Sequence, residues 1–77
     1  KYGVGRALGA LYMKWTDVYE IAIELAEQHP EADPQYVNFV ELHDWICGLA
    51  DFSDDPARGG EKVLEAIQAA WIDEIID

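Results

Sequence analysis

Three groups of residues in this sequence have types and spacings suited to chemistry. Asp51, Ser53 and Asp55 alternate as the first ligands of a calcium loop do. The pattern then fails, because Pro56 stands where the sharp-turn glycine is needed and Lys62 where the twelfth-position glutamate is needed. An EF-hand is not expected; weaker cation binding by Asp54, Asp55, Glu61 and Glu65 stays open, since carboxylate oxygens suit Fe²⁺, Mg²⁺ or Ca²⁺. His43 and Cys47 are four apart, so they share a helix face. Two ligands do not make a tetrahedral zinc site, and a nucleophilic cysteine needs a base, a lowered pKa and oxyanion donors, the last of which no motif supplies. A half-buried thiol beside a hydrogen-bonding histidine is the favoured reading. The third group is an acidic stripe, Asp17, Glu20, Glu24 and Glu27. Neighbours three or four apart on a helix lie about 5–6 Å apart at Cβ and repel when both are charged. Such a stripe is either a solvated face or a surface for a cationic partner.

The whole chain shares this bias. Sixteen Asp and Glu face five Lys and Arg. From residue 15 to residue 57 there is no Lys or Arg, while Asp17, Glu20, Glu24, Glu27, Glu31, Asp33, Glu41, Asp44, Asp51, Asp54 and Asp55 fall within that stretch. A one-signed surface repels itself and costs stability. It also repels nucleic acid and anionic membrane, whose binding depends on Lys and Arg. A basic protein partner, a cation or simple solubility is left.

These groups are positioned by few elements. Seventy-seven residues make one small domain with a modest core and little room for a substrate cavity. Three Trp, four Tyr and two Phe enlarge that core. Thr16 or Asp17 caps a first helix, with Asp17 and Glu20 at capping-box spacing and Trp15 placed as a hydrophobic staple. Val18, Ile21, Ala22, Leu25 and Ala26 form its apolar side, and Pro30 ends it. Asp33–Pro34 opens a single turn, and residues 36–40 favour an extended stretch. Leu42, Trp45, Ile46 and Leu49 repeat at helical spacing over a short second helix from Glu41, weakened by Gly48. Residues 50–60 form a loop punctuated by Pro56, Gly59 and Gly60, with Phe52 as its anchor. A last helix from Glu61 carries Val63, Leu64, Ile67, Ala70, Trp71 and Ile75 inward. The fold class is therefore all-α: a small three-helix domain of the helix-turn-helix or winged-helix-like kind.

Residues 1–12 differ from the rest. They carry two positive charges and small residues, and they read as a non-native leader ahead of Met13, not as a signal peptide. The domain is then 13–77. Cys47 is the single cysteine, so no intrachain disulfide forms, as suits a reducing cytoplasm. No apolar run approaches the roughly 18 residues of a membrane span.

Several strings together resemble one family. They are Met13-Lys14-Trp15-Thr16-Asp17, Asp33-Pro34, His43-Asp44-Trp45-Ile46-Cys47, Asp51-Phe52-Ser53-Asp54-Asp55-Pro56, Glu61-Lys62-Val63-Leu64-Glu65-Ala66-Ile67 and Trp71-Ile72-Asp73-Glu74. In this spacing they resemble the IscX (YfhJ) family, and the resemblance runs from Met13 to Glu74. Gly60, where a polar cap is expected, and Val40 depart from the pattern. The resemblance implies a small acidic adaptor of bacterial iron–sulfur cluster assembly that is not an enzyme. It implies binding to the cysteine desulfurase in competition with frataxin and ferredoxin, weak Fe²⁺ binding through surface carboxylates, and no resident cofactor. Carried onto this chain, the partner surface is expected at Asp17, Glu20, Glu24, Asp54, Asp55, Asp73 and Glu74, and weak Fe²⁺ binding at Asp54, Asp55, Glu61 and Glu65. A monomer is expected. Two rival readings remain: a DNA-binding winged-helix module, disfavoured by Glu41 and Asp44 on the helix that would read DNA, and an iron donor or metal chaperone, disfavoured by the spread of the acids.

Overall fold

The structure is a computed structural model and describes residues 12–76. The leader expected at 1–12 falls, apart from Tyr12, outside the described residues. Three α-helices follow one another: α1 (Val18–Gln28), α2 (Phe39–Cys47) and α3 (Glu61–Ile76), with a 3₁₀ turn at Pro56–Arg58 ahead of α3. α1 and α3 form the principal pair, and α2 packs on both. Extended pairing among the described residues is one isolated bridge between Met13 and Phe52, so no wing hairpin is found among them.

The core is assembled from the apolar sides read in the sequence. Ile21, Ala22 and Leu25 come from α1, Leu42 and Ile46 from α2, and Leu64, Ile67, Ala70 and Trp71 from α3. Met13, Trp15 and Leu49 complete it. α1 stops at Gln28, where His29 N–H still donates to Leu25 O at 2.9 Å and Pro30 has no N–H to continue.

Four local expectations are corrected. Asp17 is the residue before α1, but its carboxylate makes no capping bond into the helix. It accepts from Lys14 N–H at 2.8 Å instead, closing the turn that leads into α1, so the capping box does not form. α2 begins at Phe39, two residues earlier than expected, and residues 39 and 40 are helical, not extended. Asn38 Oδ1 accepts from Glu41 N–H at 2.8 Å, and this cap outweighs the weak β preference of Phe39 and Val40. Trp15 does not staple α1; it packs against Phe52 and His43, across the loop. Ile75 is 50 % exposed. It falls in the last turn of α3, where Asp73, Glu74 and Ile76 are exposed as well.

Removing the Asn38 cap is expected to cost about 1 kcal/mol. Urea denaturation of Asn38→Ala measures this, and an unchanged midpoint would show that α2 starts without its cap.

The Pro34 turn is held from outside. Asp33 Oδ1 accepts from Gln35 N–H at 3.0 Å and Tyr36 N–H donates to Asp33 O at 2.9 Å, giving the single turn expected. Gln68 of α3 then donates from Nε2 to Pro34 O at 2.7 Å, which fastens the connection to the longest helix.

Candidate functional site

The loop after α2 is zipped to the segment before α1. Met13 N–H donates to Asp51 O at 2.8 Å, and Ser53 N–H donates to Met13 O at 2.9 Å. Lys14 Nζ reaches Ser53 O at 2.6 Å, and the Trp15 indole N–H donates to Asp55 O at 2.8 Å. Asp54 serves this zipper directly. One carboxylate oxygen accepts Trp15 N–H at 3.0 Å and the other accepts Asp55 N–H at 2.7 Å. Asp55 caps the 3₁₀ turn by accepting Ala57 N–H at 3.0 Å.

These bonds explain why Asp54 stays ionised. The Trp15 and Asp55 N–H groups, with smaller contributions from Arg58 and Lys14, hold its carboxyl below the usual carboxylate range. The sign follows from linkage. A depressed folded-state pKa gives stability that is present above the unfolded pKa and lost as pH falls through the folded one. Acid unfolding is therefore expected to weaken this loop in that range. Asp54→Ala should flatten that part of the stability–pH curve, and an unaltered curve would show that the bonds do not persist in solution.

His43 and Cys47 sit beside this loop. His43 Nε2 lies 2.8 Å from Pro56 O, and a carbonyl can only accept, so Nε2 carries the proton. The other ring nitrogen, Nδ1, lies 3.8 Å from Cys47 Sγ. Burial raises the Cys47 pKa and the Asp44 carboxylate raises it further. The thiol is thus held protonated, the opposite of what an attacking sulfur needs. Cys47 is half-buried and packs on the core. Cys47→Ser is expected to lower stability by about 1 kcal/mol or less. A much larger loss in a thermal melt would show that the thiol is a core group.

The acids expected to meet a partner are distributed over several elements. Glu20 and Glu24 lie on α1, half-buried, and Asp17 just ahead of it. Asp54 and Asp55 occupy the loop. Asp73 and Glu74 are exposed near the end of α3, where Asp73 shares a groove with Tyr19 of α1. Asp54 and Asp55 therefore have structural work that sequence reasoning did not assign them, and Asp17 closes the turn before the helix it was expected to cap. The residues proposed for Fe²⁺ are not drawn together: Glu61 and Glu65 are exposed on α3, while the Asp54 and Asp55 carboxylates face loop amides. Among the described residues no three His, Cys, Asp or Glu side chains are grouped so as to hold a metal ion.

Sequence reasoning missed one feature. The His29 ring stacks on the Trp45 indole with centroids 4.0 Å apart and planes 11° from parallel, and Trp45 meets Trp71 edge-on at 6.2 Å. Trp45 is half-buried at the edge of the core stripe. Nothing local in the sequence pairs residues 29 and 45; only the packing of α2 against α1 does. No helix of the described residues is long and apolar enough to cross a membrane.

Fold and surface define a class: a small three-helix acidic domain with its polar chemistry on the outside. Residues 13–76 match the family model described as iron–sulphur cluster assembly. The chain belongs to that family, the IscX/YfhJ family. It is similar to an uncharacterized protein of Pseudomonas aeruginosa, 69 % identical over 62 residues that cover 80 % of this chain and 94 % of that protein.

Proposed function

We propose that this chain is a non-catalytic adaptor of iron–sulfur cluster assembly that binds the cysteine desulfurase through its acidic surface. The observation that carries the reading is the 43-residue stretch from 15 to 57 without Lys or Arg, whose acids lie at or near the surface. A surface of one sign attracts a basic partner and speeds encounter. On this reading it competes with frataxin and ferredoxin for the desulfurase. Fe²⁺ is held weakly as cargo, through surface carboxylates, Glu61 and Glu65 on α3 with Asp54 and Asp55 of the loop, and other divalent ions displace it. Dispersed carboxylates are not preorganised, which supports weak rather than tight binding.

Charge reversal tests the surface. Glu20→Lys with Glu24→Lys, and separately Asp73→Lys with Glu74→Lys, are expected to weaken desulfurase binding at least about tenfold, while circular dichroism shows intact helices, because Lys and Glu have similar helix propensity. Normal binding by both double variants would move the interface to another face.

A further inference from the structure

α1 and α3 pack as a pair, yet the seam between them is not filled along its whole length. Where the first turn of α1 meets α3, a groove of about 460 Å³ opens. Val18 and Tyr19 line it from α1, and Ala66, Ala69, Ala70 and Asp73 from α3. The alanines explain the groove, since one methyl group per position leaves space that a longer side chain would fill. Ala66 and Ala69 are exposed, and the Tyr19 ring is 77 % exposed. Ile76 stands seven residues beyond Ala69, on the same side of α3, and is 69 % exposed. Covering these groups would stabilise a complex in proportion to the apolar area removed from water.

The charges around the groove say what covers it. No lining residue is Lys or Arg. Asp73 stands in the lining, Glu74 follows it, and Asp17 and Glu20 flank Val18 and Tyr19 along the chain. The one basic residue of α3, Lys62, lies a turn before Ala66, at the opposite end from Asp73. An apolar centre with an exposed tyrosine and a charged rim has the make-up of a protein interface. Nucleic acid and anionic membrane are repelled by such a rim. A second copy fits no better, because a two-fold contact sets each patch against itself and the chain carries a net charge of −11. The complementary occupant is apolar at its centre and positive at the Asp73 end.

We infer that the α1–α3 groove receives a leucine or isoleucine of a basic protein partner, with a Lys or Arg of the same segment beside it. The aliphatic group lies on the alanines against Tyr19, and the cation meets Asp73. This deepens the partner-binding reading above and rests on it for the partner, though not for its test. The acidic surface brings the partner near, and the groove selects which apolar side chain is buried.

The test uses the full chain, labelled with ¹⁵N, in about 50 mM NaCl so that charge contacts are little screened. The probe is a capped peptide of about 14 residues, long enough for a marginal helix, made of Ala and Lys with two Leu four apart. A second peptide has Ala at both Leu positions. The Leu peptide should shift the amide resonances of Val18, Tyr19, Ala66, Ala69 and Ala70 and bind at least about fivefold more tightly than the Ala peptide. Asp73→Asn should weaken both peptides by a similar factor, about twofold to threefold. Ala69→Gln fills the groove without changing charge and keeps a good helix former at an exposed position, so it should remove the advantage of the Leu peptide. Tyr19→Ser, also at an exposed position, should weaken the Leu peptide at least about threefold and leave the Ala peptide unchanged. Circular dichroism confirms that each variant is folded, and either one decides if the other is not. Equal binding of the two peptides, shifts centred on α2, indifference to Asp73→Asn, or Leu-peptide binding unaffected by the folded groove variants would each overturn the proposal. Movement of the groove amides on concentrating the chain alone would place a second copy there and overturn it as well. The desulfurase is absent from this experiment. A silent groove therefore overturns the apolar anchor alone, and a failure of the charge-reversal test overturns the partner reading alone.

Discussion

Trp71→Ala is expected to abolish cooperative unfolding of the domain. Trp71 is 1 % exposed and is the largest fully buried side chain. It belongs to the core cluster to which all three helices contribute, and Trp45 packs edge-on against it. Truncating a buried tryptophan costs about 3–5 kcal/mol. A core of this size supplies a margin of about the same magnitude. A thermal melt followed by far-ultraviolet circular dichroism should lose its sigmoidal transition, leaving a shallow slope. Trp45→Ala, at a half-buried position whose ring leans on His29, should melt cooperatively at a reduced midpoint. If Trp71→Ala melts within a few degrees of the native chain, the α1–α3 pair does not depend on this ring.

The second large effect is expected at a glycine. A methyl group at Gly59 would lie 2.5 and 2.6 Å from two ring carbons of Trp15 and 2.9 Å from Cδ2 of His43. Neither ring can move aside. Trp15 is held by its indole N–H to Asp55 O and by its backbone N–H to Asp54, and His43 is held to Pro56 O. The backbone at Gly59 has φ of −82°, open to any residue, so the requirement for glycine is steric closeness alone. Gly59→Ala is expected to cost about 2–3 kcal/mol, or about 10–20 °C in melting midpoint. Gly60→Ala meets nothing within 4 Å and should be neutral or slightly stabilising. Equal effects at the two glycines would contradict the packing of Trp15 against the loop.

Much of the fold was legible because helical spacing of apolar residues is a strong signal. Ile21 with Leu25, Leu42 with Ile46, and Leu64 with Ile67 and Trp71 were all placed on the correct side by periodicity. The start of α2 was misplaced because Phe39 and Val40 favour strands, and a single Asn38 side chain decides otherwise. The Asp17 carboxylate was assigned to the helix after it, yet the N–H it accepts lies before it. Asx side chains satisfy either direction, and local sequence does not choose between them. The zipper between residues 13–15 and 51–55 joins positions 38 to 40 apart in the chain. Its members were read as candidate ligands because an exposed aspartate looks the same in sequence whether it meets a cation or a backbone amide. The acidic surface itself was fully legible, since composition needs no tertiary information.

That surface carries the central claim, and salt tests it most directly. Charges on a protein surface are screened beyond about 8 Å at physiological ionic strength. Binding of the purified cysteine desulfurase to the full chain can be measured by titration calorimetry from about 50 to about 500 mM NaCl. The affinity should fall by more than about tenfold across this range. Affinity that does not change with salt, or no binding at the lowest salt, would contradict the account.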